Sequence, residues 1–510
     1  MTLGWKRAFQ RRSGGRISPG LVCCVACLLS SSLLAGQVNV PTATEVEDGG
    51  STSFPGLIWF NPQGPKFPAL RLRKLAIDLG IMLPPLPQTA VELTSVDEAY
   101  SAVYLQLARK LSQNGARALV TSIESLRQRA GNGDLDTMVA ELTSPWPQFQ
   151  NLRPMLSYYR ELSRYEWPSL TPFEFRLGHR TAEIAKLRWM LTQLGDLKPR
   201  KTDSYRDAIY DPGLKLGLQH FQARHGLEQS GKLDPRTLAA LNTSPGERLL
   251  QIQTNLWRAL SLPVALPEAY IWINLPEFQL YALEQGKNVL QMRVIVGSAS
   301  TPTPLLETSL THFTVNPEWR PPASIIYREL LPNNVRDPGL LARQGFVLHS
   351  LSSDGVPSLA LGRETPEQLS TLLRQYSLVQ APGPANALGK LRFSIRNDEA
   401  IYLHDTPVKS LFSQTGRALS HGCIRLEDPK GLLAFLQSKA PDLDPKAISL
   451  ALKLTEPRDF VLTTPIAVIV GYQTAWVNSE GILQFREDIY GLDRQHSVWA
   501  ELGLNQGSAL

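Results

Sequence analysis

Cys423 lies inside the stretch ALSHGCIRLEDP (Ala418–Pro429), with His421 two residues before it. A second histidine, His404, closes the strand-like run AIYLH nineteen positions upstream of the thiol, and Asp405 follows it. A thiol is a nucleophile only as its thiolate, so it needs a base or a cation at hand. A histidine held at a strand end can be that base, because the loop from Thr406 to Ser420 can fold back and deliver the cysteine. Gly422 lets backbone amides near Cys423 turn inward, where an oxyanion forms during acyl transfer. Asp428 and Pro429 then read as the N-cap and first residue of a helix. The competing reading makes Cys423 a small buried hydrophobe, His404 a strand-end surface residue and His421 a side chain that bonds backbone.

The cysteine count bears on that choice. The four cysteines are Cys23, Cys24, Cys27 and Cys423, and three of them fall in an N-terminal segment with the pattern of an export signal. Residues 1–36 hold Lys6, Arg7, Arg11, Arg12 and Arg16 with no acidic residue, then an apolar run from Leu21 to Ala35. The run is broken by Ser30, Ser31 and Ser32 and is short of the ~20 residues a spanning helix needs. An uncleaved inner-membrane anchor is the alternative. Removal of the segment leaves one thiol in an exported chain, which points to a reactive or intermolecular cysteine and excludes a disulfide framework or a cysteine-based zinc site. It also accounts for most of the net charge: the chain carries +6, and five of those positive charges sit in the first 36 residues. The remainder is close to neutral, so charge gives no reason to expect nucleic-acid binding.

The elements that must position these groups form a multidomain α+β chain of 510 residues. After the segment 1–36 comes a Gly/Ser/Thr/Pro-rich lead over 37–56. A helical scaffold follows over 57–178, where apolar residues recur at three- and four-residue spacing. Residues 179–245 read as a three-helix module: Ile184, Leu187 and Leu191 line one helix, while Asp211-Pro212 and Asp234-Pro235 open the next two. His220 and His225 are five apart and face different ways, against metal ligation by the pair. Ser244 and Glu247 predict a capping box on a linker helix over 246–268. From Tyr270 the period becomes strand-like, with Gly286 at a hairpin turn. This β-rich domain runs over 269–493, interrupted at about 325–385 by a partly helical segment, and a tail fills 494–510.

Two stretches resemble known families. YDPGLKLGLQHFQARHGLEQSGKLDPRTLAALN (Tyr210–Asn242) is similar to the peptidoglycan-binding helical module found beside cell-wall enzymes. YLHDTPVKSLFSQTGRALSHGCIRLEDP (Tyr402–Pro429) resembles the active-site signature of the YkuD-type L,D-transpeptidases, and the similarity extends through NPEWRPPASI, GPANALGKLRF and TAWVNSEG. The long N-terminal region suggests the large, periplasmic YcbB-like branch. This resemblance implies a β-rich catalytic domain, a mixed β sandwich, with the interrupting segment as a cap. It implies Cys423 as acyl-accepting nucleophile, His404 as general base, His421 in support, and Gly422 and Cys423 amides as oxyanion donors. His404 would be oriented by Asp405, through either its carbonyl or its carboxylate. Ser420, Arg425, Trp319 and Asn386 would meet the substrate.

The implied reaction joins two stem peptides of the wall without metal or cofactor. Cys423 attacks the third residue of a donor tetrapeptide, D-alanine leaves, and a diaminopimelate amine takes the acyl group to give a 3→3 cross-link. Water as acceptor would make an L,D-carboxypeptidase or endopeptidase, and a protein lysine an anchoring enzyme. A silent wall-binding scaffold is the reading from another class. The partners implied are stem peptides and glycan strands, with glycosyltransferases and D,D-carboxypeptidases of the wall machinery. The implied compartment is a Gram-negative periplasm.

Overall fold

A computed structural model describes residues 56–495 except 114–116, 200–206, 264, 266 and 352–357. The export segment, the lead up to residue 55, Cys23, Cys24, Cys27 and the tail beyond residue 495 lie outside the described residues.

The scaffold is five helices: α1 (Phe67–Asp78), α2 (Ala90–Ser112), α3 (Ile123–Gly131), α4 (Leu135–Glu141) and α5 (Pro147–Leu162). Thr89 and Ser122 cap α2 and α3 by accepting from Glu92 and Ser125 amides. The buried Asp97 carboxylate accepts three consecutive amides, Ile58 to Phe60, and so ties the chain entering the scaffold to α2. The module is α6 (Ala182–Gln193), α7 (Pro212–Arg224) and α8 (Pro235–Asn242), and both Asp-Pro openings are N-caps as expected. Its own core joins Ile184, Leu187, Leu191, Leu214, Leu218, Phe221 and Leu241.

Helix α9 (Pro245–Leu260) has the predicted capping box. It differs from the expected linker in what it buries. Ile252, Leu256, Trp257 and Leu260 belong to the scaffold core, and so do Ala475, Val477, Leu483 and Phe485 from near the chain's far end. The strict apolar stripe on α9 needed a partner face, and the scaffold supplies it. Scaffold and β-rich domain are therefore fused by shared core rather than joined by a tether.

The same junction holds the module. Arg224, on α7, makes a bidentate pair with Asp196 at 2.7 and 2.6 Å, both side chains nearly inaccessible. Its guanidinium lies over the rings of Phe221 and Phe485. Next to it His225 stacks between those two rings and is kept neutral, its pKa well below the ordinary value, by burial and by Arg224, Arg248 and Arg486. Removing one partner of such a pair leaves a buried charge unsatisfied. Asp196→Ala should lower unfolding stability by about 3–5 kcal/mol, whereas Asp196→Ala with Arg224→Met should recover much of the loss. Urea midpoints of the two variants would check this; equal losses would sink it.

The β-rich domain contains β1 (Ala269–Asn274), β2 (Gln279–Glu284), β3 (Lys287–Gly297), β4 (Leu306–Val315), β5 (Leu391–Ile395), β6 (Tyr402–His404), β7 (Ala418–Ser420), β8 (Ile424–Leu426) and β9 (Arg458–Gly471). Hydrogen bonding runs β7-β3-β8-β6-β5-β4-β9-β1-β2, and β2 pairs β3 again. The sheet is mixed, with parallel pairs β6–β8, β3–β7 and β1–β9. The expected sandwich is thus one continuous sheet that closes on itself. Ile271, Val294, Phe313, Phe393, Leu403, Ile424 and Leu426 fill it, together with residues of helices α10 (Pro429–Lys439) and α11 (Pro445–Ala451).

The interrupting segment leaves β4 and returns to β5, two strands that pair with each other. It is an inserted cap with its own three-stranded sheet (Phe346–Ser350, Leu359–Ala360, Tyr376–Gln380), short helices and a separate core around Leu341, Phe346, Leu348, Leu369 and Leu378. Backbone bonds between Trp319 and Gln380, at 3.0 and 2.8 Å, close its neck.

Candidate active site

Strand alternation assigns the side chains around Cys423. On β6 and β8, Leu403, Ile424 and Leu426 enter the core, so Tyr402, His404 and Arg425 project to the other face. His404 is paired across the sheet with Arg392 on one side and Arg425 on the other. Because β6 and β8 run parallel, Cys423, one residue before β8, sits level with the start of β6. Two titratable side chains, a thiol and a guanidinium are thereby gathered on one patch beside the cap.

His404 is 5% exposed and donates from Nδ1 to the carbonyl of Asp405 at 2.6 Å. That bond fixes the tautomer, leaving Nε2 with a lone pair. Burial and the Arg425 charge hold the imidazole pKa down at about 3, so the ring is neutral in the resting protein. The Asp405 carboxylate is occupied elsewhere: it accepts from the Lys390 and Thr406 amides and pairs with Lys409 at 2.8 Å. Of the two orienting groups considered from sequence, the geometry favours the carbonyl.

Burial pushes the Cys423 thiol up, offset in part by neighbouring Tyr402 and by the Arg425 charge. The thiol otherwise approaches only the Ala400 carbonyl, at 3.8 Å. The resting pair is therefore thiol and neutral imidazole rather than thiolate and imidazolium. Tyr402 was not singled out from sequence, although its position two before His404 on a strand places both on one face. Its phenol is raised by burial and by the neighbouring thiol. Trp319 stands at the cap's neck, its ring against Phe346 of the cap's core. Arg425 has its Nε buried without a hydrogen-bond partner, which suits it to a substrate oxygen.

Three expected roles are corrected. Ser420 is buried, and its hydroxyl donates to the Cys423 carbonyl at 2.6 Å while accepting the Gly422 amide at 3.2 Å. It braces the turn instead of meeting substrate, and it takes the Gly422 N–H away from oxyanion duty. Gly422 itself is required by a φ of +113°, with its carbonyl accepting from Thr303 at 2.6 Å. The Cys423 amide remains as candidate oxyanion donor. Asn386 is 1% exposed and donates to the carbonyls of Pro317, Gln380 and Ala381, so it stitches the cap's neck and does not line a groove. His421 stays near the surface, and its Nε2 meets Glu329 of the cap at 2.5 Å. Among the described residues, no group of three or more His, Cys, Asp or Glu side chains is arranged to hold a metal ion.

Comparison with known proteins agrees with this architecture. Residues 268–451 match the YkuD family, described as the L,D-transpeptidase catalytic domain, and residues 180–241 match a family described as "Putative peptidoglycan binding domain". A Haemophilus influenzae protein described as "Putative L,D-transpeptidase" is 34% identical over 226 residues, 44% of this chain and 45% of that one. The chain thus matches less than half of that relative's length. Among solved structures, an L,D-transpeptidase from Mycobacterium smegmatis is 16% identical (40% of this chain, 58% of that one, TM-score 0.17). One from Stackebrandtia nassauensis is 14% identical (59% and 98%, TM-score 0.21). At the level of domain family, both sequence resemblances are borne out.

Proposed function

We propose that this chain is a peptidoglycan L,D-transpeptidase working through a cysteine acyl-enzyme in the periplasm. What carries the reading is one constellation: Cys423, a tautomer-fixed His404 and the guanidinium of Arg425 on adjacent strands beneath a cap. His404 Nε2 takes the thiol proton as sulfur attacks the carbonyl of the donor's third residue. The Cys423 amide and Tyr402 hydroxyl are the donors we assign to the developing oxyanion, and the same imidazole then protonates the departing D-alanine amine. Arg425, held near the sulfur, receives a stem-peptide oxygen. The cap shields the thioester from water until an acceptor arrives. The three-helix module keeps the enzyme on its polymer, and the shared core around Phe485 transmits its position to the catalytic domain. Glycosyltransferases and D,D-carboxypeptidases, which supply strands and tetrapeptides, are the partners this chemistry requires.

The test is the product spectrum from disaccharide tetrapeptide. Incubation with the purified chain should yield a 3→3 cross-linked dimer and free D-alanine, read by mass. Tripeptide monomer alone would make water the acceptor. Neither product, with sacculus binding intact, would leave the protein a wall-binding scaffold.

A further inference from the structure

The constellation around His404 serves the thiol; the second half-reaction needs something more. An acceptor amine is an ammonium at neutral pH and cannot attack a thioester until it has lost a proton. His404 is poorly suited to collect that proton, being buried and beside the Arg425 charge. A different pair stands at the nucleophile's own turn, where His421 precedes Cys423 by two residues. His421 and Glu329 meet at 2.5 Å, with side chains 40% and 47% exposed, so incoming solute can reach both. One comes from the nucleophile's own turn and the other from the cap, in a single π-helical turn (Ile326–Leu330), a local distortion that recurs at functional sites. An ionised carboxylate only accepts, so His421 donates from Nε2 and its Nδ1 keeps the lone pair.

We propose that Glu329 and His421 form a carboxylate–imidazole pair, the acceptor-side base of the proposed transpeptidase. This inference rests on the reading given above. The carboxylate fixes the imidazole's tautomer and orientation, as in other base–orienter pairs. The free edge of the carboxylate attracts the cationic acceptor to the cap's rim. One ammonium proton passes to His421 Nδ1, giving an imidazolium beside Glu329. The freed amine attacks the Cys423 thioester carbon, the C–N bond forms, and the C–S bond breaks. The amine's second proton passes by way of His404 to the departing thiolate, which ends as thiol. His421 then yields its proton to solvent. The products are an amide, a free thiol and one released proton, which balances the ammonium consumed.

The pair also explains why a cap residue should touch the nucleophile's turn at all. The acceptor base is assembled from the cap and the nucleophile's turn together.

The test compares nucleophiles. Full-length wild type and Glu329→Gln are given disaccharide tetrapeptide, and dimer, tripeptide and D-alanine are quantified. The same reactions are repeated with hydroxylamine, a nucleophile already unprotonated at neutral pH, and the hydroxamate is measured. Loss of the base should lower the dimer-to-tripeptide ratio by about 10²-fold while hydroxamate formation changes by less than about threefold, and Glu329→Asp should restore part of the ratio. Equal losses with both nucleophiles would make Glu329 a structural latch and overturn the proposal, as would an unchanged ratio. Absence of D-alanine release by the wild type would overturn the transpeptidase reading and this proposal with it.

Discussion

Cys423→Ser should reduce both D-alanine release and cross-link formation to background, a loss of at least about 10⁴-fold, although the substitution changes a single atom. The size of the effect follows from the base. His404 is neutral with its pKa held near 3, so it is a weak proton acceptor in the resting site. It can relieve a thiol of its proton as attack proceeds, but a serine hydroxyl is several orders more reluctant to ionise, and Arg425 and Tyr402 do not close that gap. The fold should tolerate the change, since Cys423 is only partly buried and its sulfur makes one long contact, to Ala400. A carbapenem is expected to add its mass to the wild type at Cys423 and to leave the serine variant unmodified. Binding of the variant to isolated sacculi should match wild type, because the cores that hold the module and its junction at Phe485 do not include the thiol or its turn. Residual turnover above a few per cent would mean that another group carries the acyl transfer.

The site was legible in the sequence where chemistry depends on residue type and strand phase. Cys423, His404 and Arg425 are such residues: the lone thiol, the strand-end imidazole and the guanidinium two past the cysteine occupy one face. Roles that depend on where a hydroxyl or amide is aimed were not legible. Ser420 and Asn386 are polar residues near the signature, and both spend their hydrogen bonds on the chain itself, one bracing a turn and the other the cap's neck. Glu329 was invisible for a different reason. It stands 92 residues from His421, in an insertion whose docking no local pattern encodes. The same limit explains α9. Its stripe predicted a helix and a buried face but not the partner, and the Ala475–Phe485 hairpin that completes its environment arrives more than two hundred residues later. Domain limits drawn from changes in periodicity therefore cut through a shared core.

His404→Ala should lower donor acylation by about 10²–10⁴-fold, the usual worth of a positioned general base, while carbapenem still binds reversibly. Its pH dependence distinguishes the neutral-pair arrangement from a preformed ion pair. If the resting site holds thiol and neutral imidazole, kcat/KM for D-alanine release should show no acid limb between pH 7 and pH 5, because His404 stays unprotonated until far below its ordinary value. A limb near 6.5 would instead mean that the imidazole is solvated, and the fixed tautomer would lose its point. The same depression has a stability consequence with a definite sign. Below 6.5 the unfolded chain binds protons at His404 and His225 that the folded chain refuses, so stability is full above 6.5 and falls as pH drops. Each of the two histidines gives up about 1.4 kcal/mol per pH unit through that window. Only the His404 share should disappear in His404→Ala, leaving the fall due to His225. Urea titrations of wild type and variant between pH 7.5 and 5 would therefore diverge in slope by one histidine, and parallel lines would show that His404 is not buried in its neutral form. Replacing the base thus tests two independent consequences of one placement: a neutral imidazole is what the mechanism requires, and keeping it neutral in a buried site is what makes the fold acid-sensitive.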